Sequence, residues 1–462
     1  MSSLFLEKLI PYLEIVKVLL ATLMQTLPLF WLVILIVYLQ YRRSALMEQQ
    51  LFGRTINPVG RQVALSTLWG IIGGLLASLI MILLGLSLAQ IGLLYIWPVA
   101  LLLLLIHPRY LCFSYAGGIV ALAALALRSL GPYFPHLAEN AILAPLLDIH
   151  IPALLALVGL LHLVEALLIY SGGHRGSSPL YFKQPGGEVV GAFSLQRFWP
   201  IPLAALLATA VLESEVRGVS MPEWWPLIKP ALELEPGQTL QYFTFPAIAA
   251  LGYSDLALSS SPRQKSASTA LFLSIFSVLL IGAALAAEYY PPLTLVGVLF
   301  APLGHEAVIY YGNRLEHSRE ARYRSTDEGV LLMAVLPESA ASRAGLRAGD
   351  LIRRVNGAPV RSDLEFLRRL EESYFIVLIE GLRKGENFSI VLNKHFSQEK
   401  EGRRNPFSER PPATAAYASL WHRGAALGLI PAPSRQTPVY AQARPAAASG
   451  LLKRLWSRHK SS

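Results

Sequence analysis

Residues Ser342–Val360 read Ser-Arg-Ala-Gly-Leu-Arg-Ala-Gly-Asp-Leu-Ile-Arg-Arg-Val-Asn-Gly-Ala-Pro-Val, and this stretch decides how the last third of the chain folds. Gly349-Asp350 turns the chain into a strand over Leu351–Val355. Asn356-Gly357 then ends that strand, since both residues tolerate the positive φ of a tight hairpin turn. Working outward, Gly329–Val335 is a strand and Pro337–Gly345 holds a short helix. Ser362 and Glu365 have capping-box spacing for a helix running to about Glu372. Phe375–Glu380 and Phe388–Leu392 are strands joined by a turn over Leu382–Glu386, so the segment folds as a small β-rich barrel.

The Ala-Gly-Leu, Gly-Asp and Asn-Gly elements, in that order and spacing, resemble the central motif of a bacterial PDZ domain over Ser325–Lys394. The resemblance implies a module that binds extended peptides by strand addition. Carried onto this sequence, one side of its groove is Glu328, Gly329, Val330, Leu331 and Leu332, and the helix side is Leu364, Leu367 and Arg368. Backbone amides near Glu328-Gly329 would meet a terminal carboxylate. Asp327 and Glu328 would repel one, which favours an internal peptide segment as ligand.

The rest of the chain is of another kind. Of its 462 residues, 53% are hydrophobic and 15% charged, against about 25% charged in an ordinary soluble protein. Nine apolar stretches are candidate membrane spans: Val18–Leu39, Leu65–Leu88, Leu93–Ile106, Leu111–Leu127, Leu143–Tyr170, Phe198–Leu212, Leu240–Leu258, Ala267–Ala287 and Leu293–Tyr311. The third and sixth are short, so the count is eight or nine. The fifth contains Asp148, His150 and Pro152, and its start is placed near Pro152. The first lacks a small-residue cleavage site and reads as a retained helix.

Loop charge gives the orientation. With nine spans, 14 Lys/Arg (Arg42, Arg43, Arg54, Arg61, Arg109, Arg175, Lys183, Arg197, Arg263, Lys265, Arg314, Arg319, Arg322 and Arg324) fall on one side. Five (Lys8, Lys17, Arg128, Arg217 and Lys229) fall on the other. Cations stay on the cytoplasmic side, so the expectation is an outer N-terminus and a cytoplasmic PDZ module and C-terminus. The outer loop Glu213–Gln238 carries Trp224-Trp225, read as an interfacial belt, with an external contact site as the second reading. Gly73-Gly74 and Gly117-Gly118 are read as close helix packing, and Pro200 and Pro202 as the first turn of a span.

From Ser397 the composition turns to Pro, Ala, Ser and Arg, and 11 Lys/Arg against three Asp/Glu leave this tail at +8 of the chain's +10. Prolines at 406, 411, 412, 431, 433, 438 and 445 argue for disorder. Its end, Gly450–Lys460, is read either as an amphipathic anchor on anionic lipid or as a solvated basic terminus. No nucleic-acid partner is assigned. The expected organisation is an α-helical polytopic membrane domain over residues 1–324, a PDZ domain over 325–396 and a disordered tail over 397–462.

Chemistry inside the spans is sparse. His162 and Glu165 share one helix face, and His305 and Glu306 sit in the last span at similar depth. They are read as interhelical hydrogen-bonding groups, with a metal or proton-relay site as the minor reading. The single cysteine, Cys112, excludes an internal disulfide and receives no role. A His-Glu-x-x-His zinc motif is missing its second histidine, because His305-Glu306-Ala307-Val308-Ile309 ends in isoleucine. No catalytic residue, metal or cofactor is therefore assigned. A metalloprotease-like protein, or a regulator of membrane proteolysis, stands as the alternative.

Three further stretches narrow the field: Gly173-His174-Arg175-Gly176, Leu195–Pro202 and Gly304–Arg314. With a multipass body and one C-terminal PDZ, they resemble the MinJ-type cell-division topological determinants. The resemblance implies a non-enzymatic membrane scaffold that bridges a DivIVA-type protein to MinC and MinD, enriched at septa and poles. It covers most of Val18–Lys394 and has no counterpart for the tail.

Overall fold

The computed structural model describes residues 16–18, 20–22, 24–184, 186–216, 221–394, 414–434 and 437. Among the described residues seven apolar helices lead: α1 (Leu27–Phe52), α2 (Val59–Leu84), α3 (Leu93–Ile106), α4 (Phe113–Leu130), α5 (Ile151–Gly172), α6 (Pro262–Tyr289) and α7 (Leu293–His317). Six of them are long and apolar enough to cross a membrane, and α3, with 14 residues, is shorter. Helix α5 is the hub. Of its 22 residues 17 are buried, and α2, α4, α6 and α7 pack around it.

Two expected spans are not helices. Phe198–Leu212 belongs to strand β2 (Val189–Leu212) and Leu240–Leu258 falls almost wholly in β3 (Gln238–Ala257); these pair antiparallel as one long hairpin, from Phe193 opposite Ala257 to Leu212 opposite Gln238. A shorter strand, β1 (Ser178–Lys183), pairs only with the first residues of β2. The physical reason is proline. Pro200, Pro202 and Pro246 would each delete a hydrogen bond and clash inside a helix, whereas a strand tolerates them where the N–H points away from its partner.

Beyond Ser194, β2 has an edge without a strand neighbour among the described residues, and unpaired backbone groups are expensive in hydrocarbon. Here α2 covers that edge. Successive residues of an antiparallel strand turn their backbone groups to alternate sides, so Phe198, Pro200, Pro202, Ala204, Leu206 and Ala208 all face outward from the hairpin. The two prolines have no donor. Phe198 donates to the Tyr41 hydroxyl (3.2 Å), Ala204 to Ser78 Oγ (2.9 Å) and Ala208 to Ser87 Oγ (2.9 Å), while the Leu206 carbonyl accepts from Leu88 (2.8 Å). Helix α2 approaches this closely because Gly70 and Gly74 lie against the Pro200 and Pro202 carbonyls, where any Cβ would collide.

The connections sort to two ends of this body. At one end, Glu48 accepts from the Ile56 and Asn57 amides (2.7 and 2.9 Å) and from Ser178 Oγ (2.6 Å), and Glu316 accepts from the amides of Leu258, Ser259 and Ser260 (2.6–2.8 Å). At the other end, His150 donates to the Gln90 carbonyl and Leu227 to that of Leu84. The hairpin runs from one end of this body toward the other and back. Trp225 is not simply a lipid belt. Its indole donates to the Ile82 carbonyl (2.7 Å) and packs on Tyr242, while Trp224 stays exposed.

The last third forms one sheet in the order β8-β7-β5-β4-β9. Its members are β4 (Val330–Val335), β5 (Leu351–Val355), β7 (Ile376–Arg383), β8 (Glu386–Asn393) and β9 (Leu429–Pro431), with the short β6 (Ala358–Pro359) on β5 and helix α8 (Asp363–Glu372) across it. The turn residues behave as their chemistry requires: Asn356 and Gly357 take φ of 50° and 77° between β5 and β6. The Ser362 hydroxyl accepts from the Glu365 amide at the start of α8 (3.2 Å). Asp350, buried, clamps Arg383 through two 2.7 Å bonds.

The tail departs from the expected disorder. Thr414–Leu427 is a helix, α9, and Leu429–Pro431 is strand β9; residues 397–413 and 438–462, including the basic end, lie outside the described residues. Proline does not prevent this, because β9 is an edge strand.

Candidate functional site

The groove of the β-rich module lies between β4 and α8, and the chain's own tail fills it. Strand β9 pairs antiparallel with β4: Val335 faces Leu429, Ala334 faces Ile430 and Leu332 faces Pro431. Flanking bonds extend the pairing, from Leu336 N–H to the Gly428 carbonyl (2.8 Å), Ala432 N–H to Leu331 (2.7 Å) and Ser325 N–H to Pro433 (3.1 Å). Leu429, Ile430 and Ala432 are completely buried. Helix α9 closes the other side against α8: Gly424 presses on Leu367, Arg423 pairs with Glu371, and the Thr437 hydroxyl donates to buried Asp363 (2.7 Å).

Each residue predicted for the groove can now be placed. Leu331 bonds the tail through its carbonyl, Leu332 lies opposite Pro431, and Leu367 packs on Gly424. Val330 is buried opposite Ile352, and Leu364 is half-buried in the core. Arg368 is exposed, since one residue past Leu367 turns it about 100° away around the helix. The Gly329 amide is not free for a terminal carboxylate, because it donates to the Thr326 carbonyl (3.1 Å). Glu328 pairs with Arg353 (3.3 Å). Gly329 also has no room for a side chain, as a Cβ would strike the Ile352 carbonyl. An internal segment passes through this groove without ending in it.

The tail also reaches the membrane body. The Arg54 guanidinium donates to the Ala425 carbonyl (3.3 Å), the His422 ring lies on Gly53, and the Tyr181 hydroxyl donates to the Pro431 carbonyl (3.2 Å). Burial pushes the His422 pKa down, an effect partly offset by a hydrogen bond with the Gln50 backbone. The module touches the body directly as well, through Met333 against Gly191, beside the bond from Gly191 N–H to the Tyr323 carbonyl (2.7 Å) at the end of the body.

Inside the helical body, His162 and His305 meet, with ring centroids 5.0 Å apart. The two glutamates predicted beside them behave differently. Glu306 accepts from the Tyr115 hydroxyl (2.6 Å) and pairs with Arg109, whereas Glu165 stands outside the histidine group. The third member is Cys112, whose Sγ lies 3.2 Å from His162 Nε2 and 3.9 Å from His305 Nε2. Sequence reading missed it because Cys112 sits in an apolar run. The available signal was its place just after Pro108-Arg109-Tyr110, at the N-cap of α4.

Comparison with known proteins identifies the β-rich module. The model of the PDZ domain matches residues 332–379. The module is a PDZ domain. Over 382 residues, covering 81% of this chain and 90% of the relative, the sequence is 24% identical to the cell division topological determinant MinJ of Bacillus subtilis (strain 168). This is a MinJ-like chain carrying a PDZ domain.

Proposed function

We propose that this protein is a non-enzymatic, membrane-embedded adaptor of cell division whose PDZ groove recruits extended peptide segments of its partners. Similarity to MinJ and the PDZ domain support a division-related adaptor role. The carrying observation is that the outer edge of β4 takes up a strand: Leu429–Pro431 already sits there by main-chain pairing, as a peptide ligand would. In this reading the tail is a built-in competitor, and a partner engages by replacing it. Glu328–Leu332, Leu364 and Leu367 form the groove, and an internal peptide is the fitting ligand.

The PDZ domain faces the cytoplasm in this proposal, because the end of the body that bears it also carries the larger set of basic loop residues. Partners of the DivIVA and MinD types, and enrichment at septa and poles, follow from the family resemblance. The test is direct. A fluorescently labelled peptide of residues 425–437 is added to the full chain in nanodiscs and to its Ile430→Asp variant, which places a charge at a completely buried site. The peptide is expected to bind the variant at least about tenfold more tightly, since each 1.4 kcal/mol of lost competition is a factor of ten. Equal binding, or none to either, would contradict the reading.

A further inference from the structure

We propose that Cys112, His162 and His305 form a binding site for a transition-metal ion of the zinc class, which ties together α4, α5 and α7. The three residues are 50 and 143 positions apart in sequence, and their ligand atoms all lie within 4.8 Å of one another. Zinc–sulfur and zinc–nitrogen bonds of about 2.3 and 2.0–2.1 Å in a tetrahedron place sulfur about 3.5 Å from each nitrogen. The separations of 3.2 and 3.9 Å bracket that value, so small side-chain shifts suffice.

The surroundings prepare the ligands. His162 Nδ1 lies 2.7 Å from the Val158 carbonyl, which can only accept, so the proton sits on Nδ1 and the Nε2 lone pair faces Cys112. His305 turns Nε2 to the same sulfur, and its Nδ1 is buried with no partner among the described residues. Phe276 packs edge-on against both imidazoles, and Tyr115 against His305, giving an apolar wall that restricts solvent. Thiolate with imidazole suits zinc or copper(I) rather than magnesium or calcium.

The ion displaces the thiol proton to solvent, so Cys112 binds as thiolate and one proton is released per ion. A tetrahedral ion keeps one position for water or a fourth ligand. Glu306, adjacent to His305, is held by Arg109 and Tyr115 rather than aimed at that position, which favours a structural tie over hydrolysis. The site is independent of the PDZ groove and of the adaptor reading.

The test uses the full chain, purified in detergent, stripped with chelator and titrated with Co2+. The expected result is a thiolate-to-cobalt charge-transfer band that saturates at one equivalent and is chased by Zn2+, together with a higher melting temperature in Zn2+. Cys112→Ser should abolish the band, and His162→Gln or His305→Gln should weaken Co2+ binding by about tenfold or more. The wild-type titration stands alone if a variant fails to fold. No band, a band that survives Cys112→Ser, or displacement by Cu+ but not by Zn2+ would overturn the assignment.

Discussion

Two buried carboxylates do much of the joining in the membrane body. Glu48 is 1% exposed and accepts hydrogen bonds from two backbone amides, Asn57 Nδ2 and Ser178 Oγ, so one side chain fixes the end of α1 to the start of α2 and to β1. Glu48→Ala would strand those donors, and an expected loss of about 3 kcal/mol should appear as a lower melting temperature in detergent. Unchanged melting would show that the donors find water. His422 gives a second prediction. Its folded pKa is depressed by burial, so the docked tail binds fewer protons than the released tail. Docking strength is then full above the free value near 6.5 and falls as pH drops below it. Protease cleavage within residues 414–434 should therefore rise between about pH 6.5 and 5, and His422→Gln should flatten that rise. At this scale the sequence exposed His162 and His305, because ionisable groups in apolar runs stand out. It marked Cys112 only by its place after Pro108-Arg109-Tyr110, because the meaning of this apolar-looking residue comes from its neighbours in space.

Among the elements, the strands of the PDZ domain were legible because their signals are local. Asn356-Gly357, Gly349-Asp350 and Ser362 each demand a particular backbone state whatever surrounds them. The β2–β3 hairpin was not legible. Its strands are largely apolar on both faces where they cross the body, so the alternation that marks a half-buried strand is missing and hydropathy alone resembles a short span. Only the prolines pointed elsewhere, and of these Pro200 and Pro202 equally fit a first helical turn, whereas Pro246 lies inside the stretch Leu240–Leu258. The fit of α2 to the bare edge of β2 carries the arrangement. Gly74→Val is expected to push α2 off the Pro202 carbonyl and break the Ser78–Ala204 bond, costing about 2–4 kcal/mol in detergent stability. Val at Gly60, at the start of the same helix, where a Cβ meets nothing, should leave stability unchanged. Equal effects would sink the close-approach argument.

Across the molecule, α9 and β9 form a wedge that touches the PDZ domain on one side and the α1–α2 turn and β1 on the other. Release of the tail would thus open the groove and loosen the domain's seat on the membrane body together, and in the proposed reading this would couple partner binding to the position of the PDZ domain. Nothing in the tail's composition announces this, because Leu429, Ile430 and Ala432 gain their burial only against a domain some hundred residues earlier. The chain's one cysteine makes the arrangement easy to interrogate. In a Cys112→Ser background, the pair A334C and I430C places thiols on directly opposed strand positions, where Cβ atoms stand about 4.5–5.5 Å apart. Mild oxidation of membranes from growing cells should then link Ala334 and Ile430 positions within one chain, read as a joined peptide after proteolysis, and an excess of the 425–437 peptide should reduce the yield. Failure to form that intrachain link, or its formation only between chains, would contradict a groove filled by its own tail.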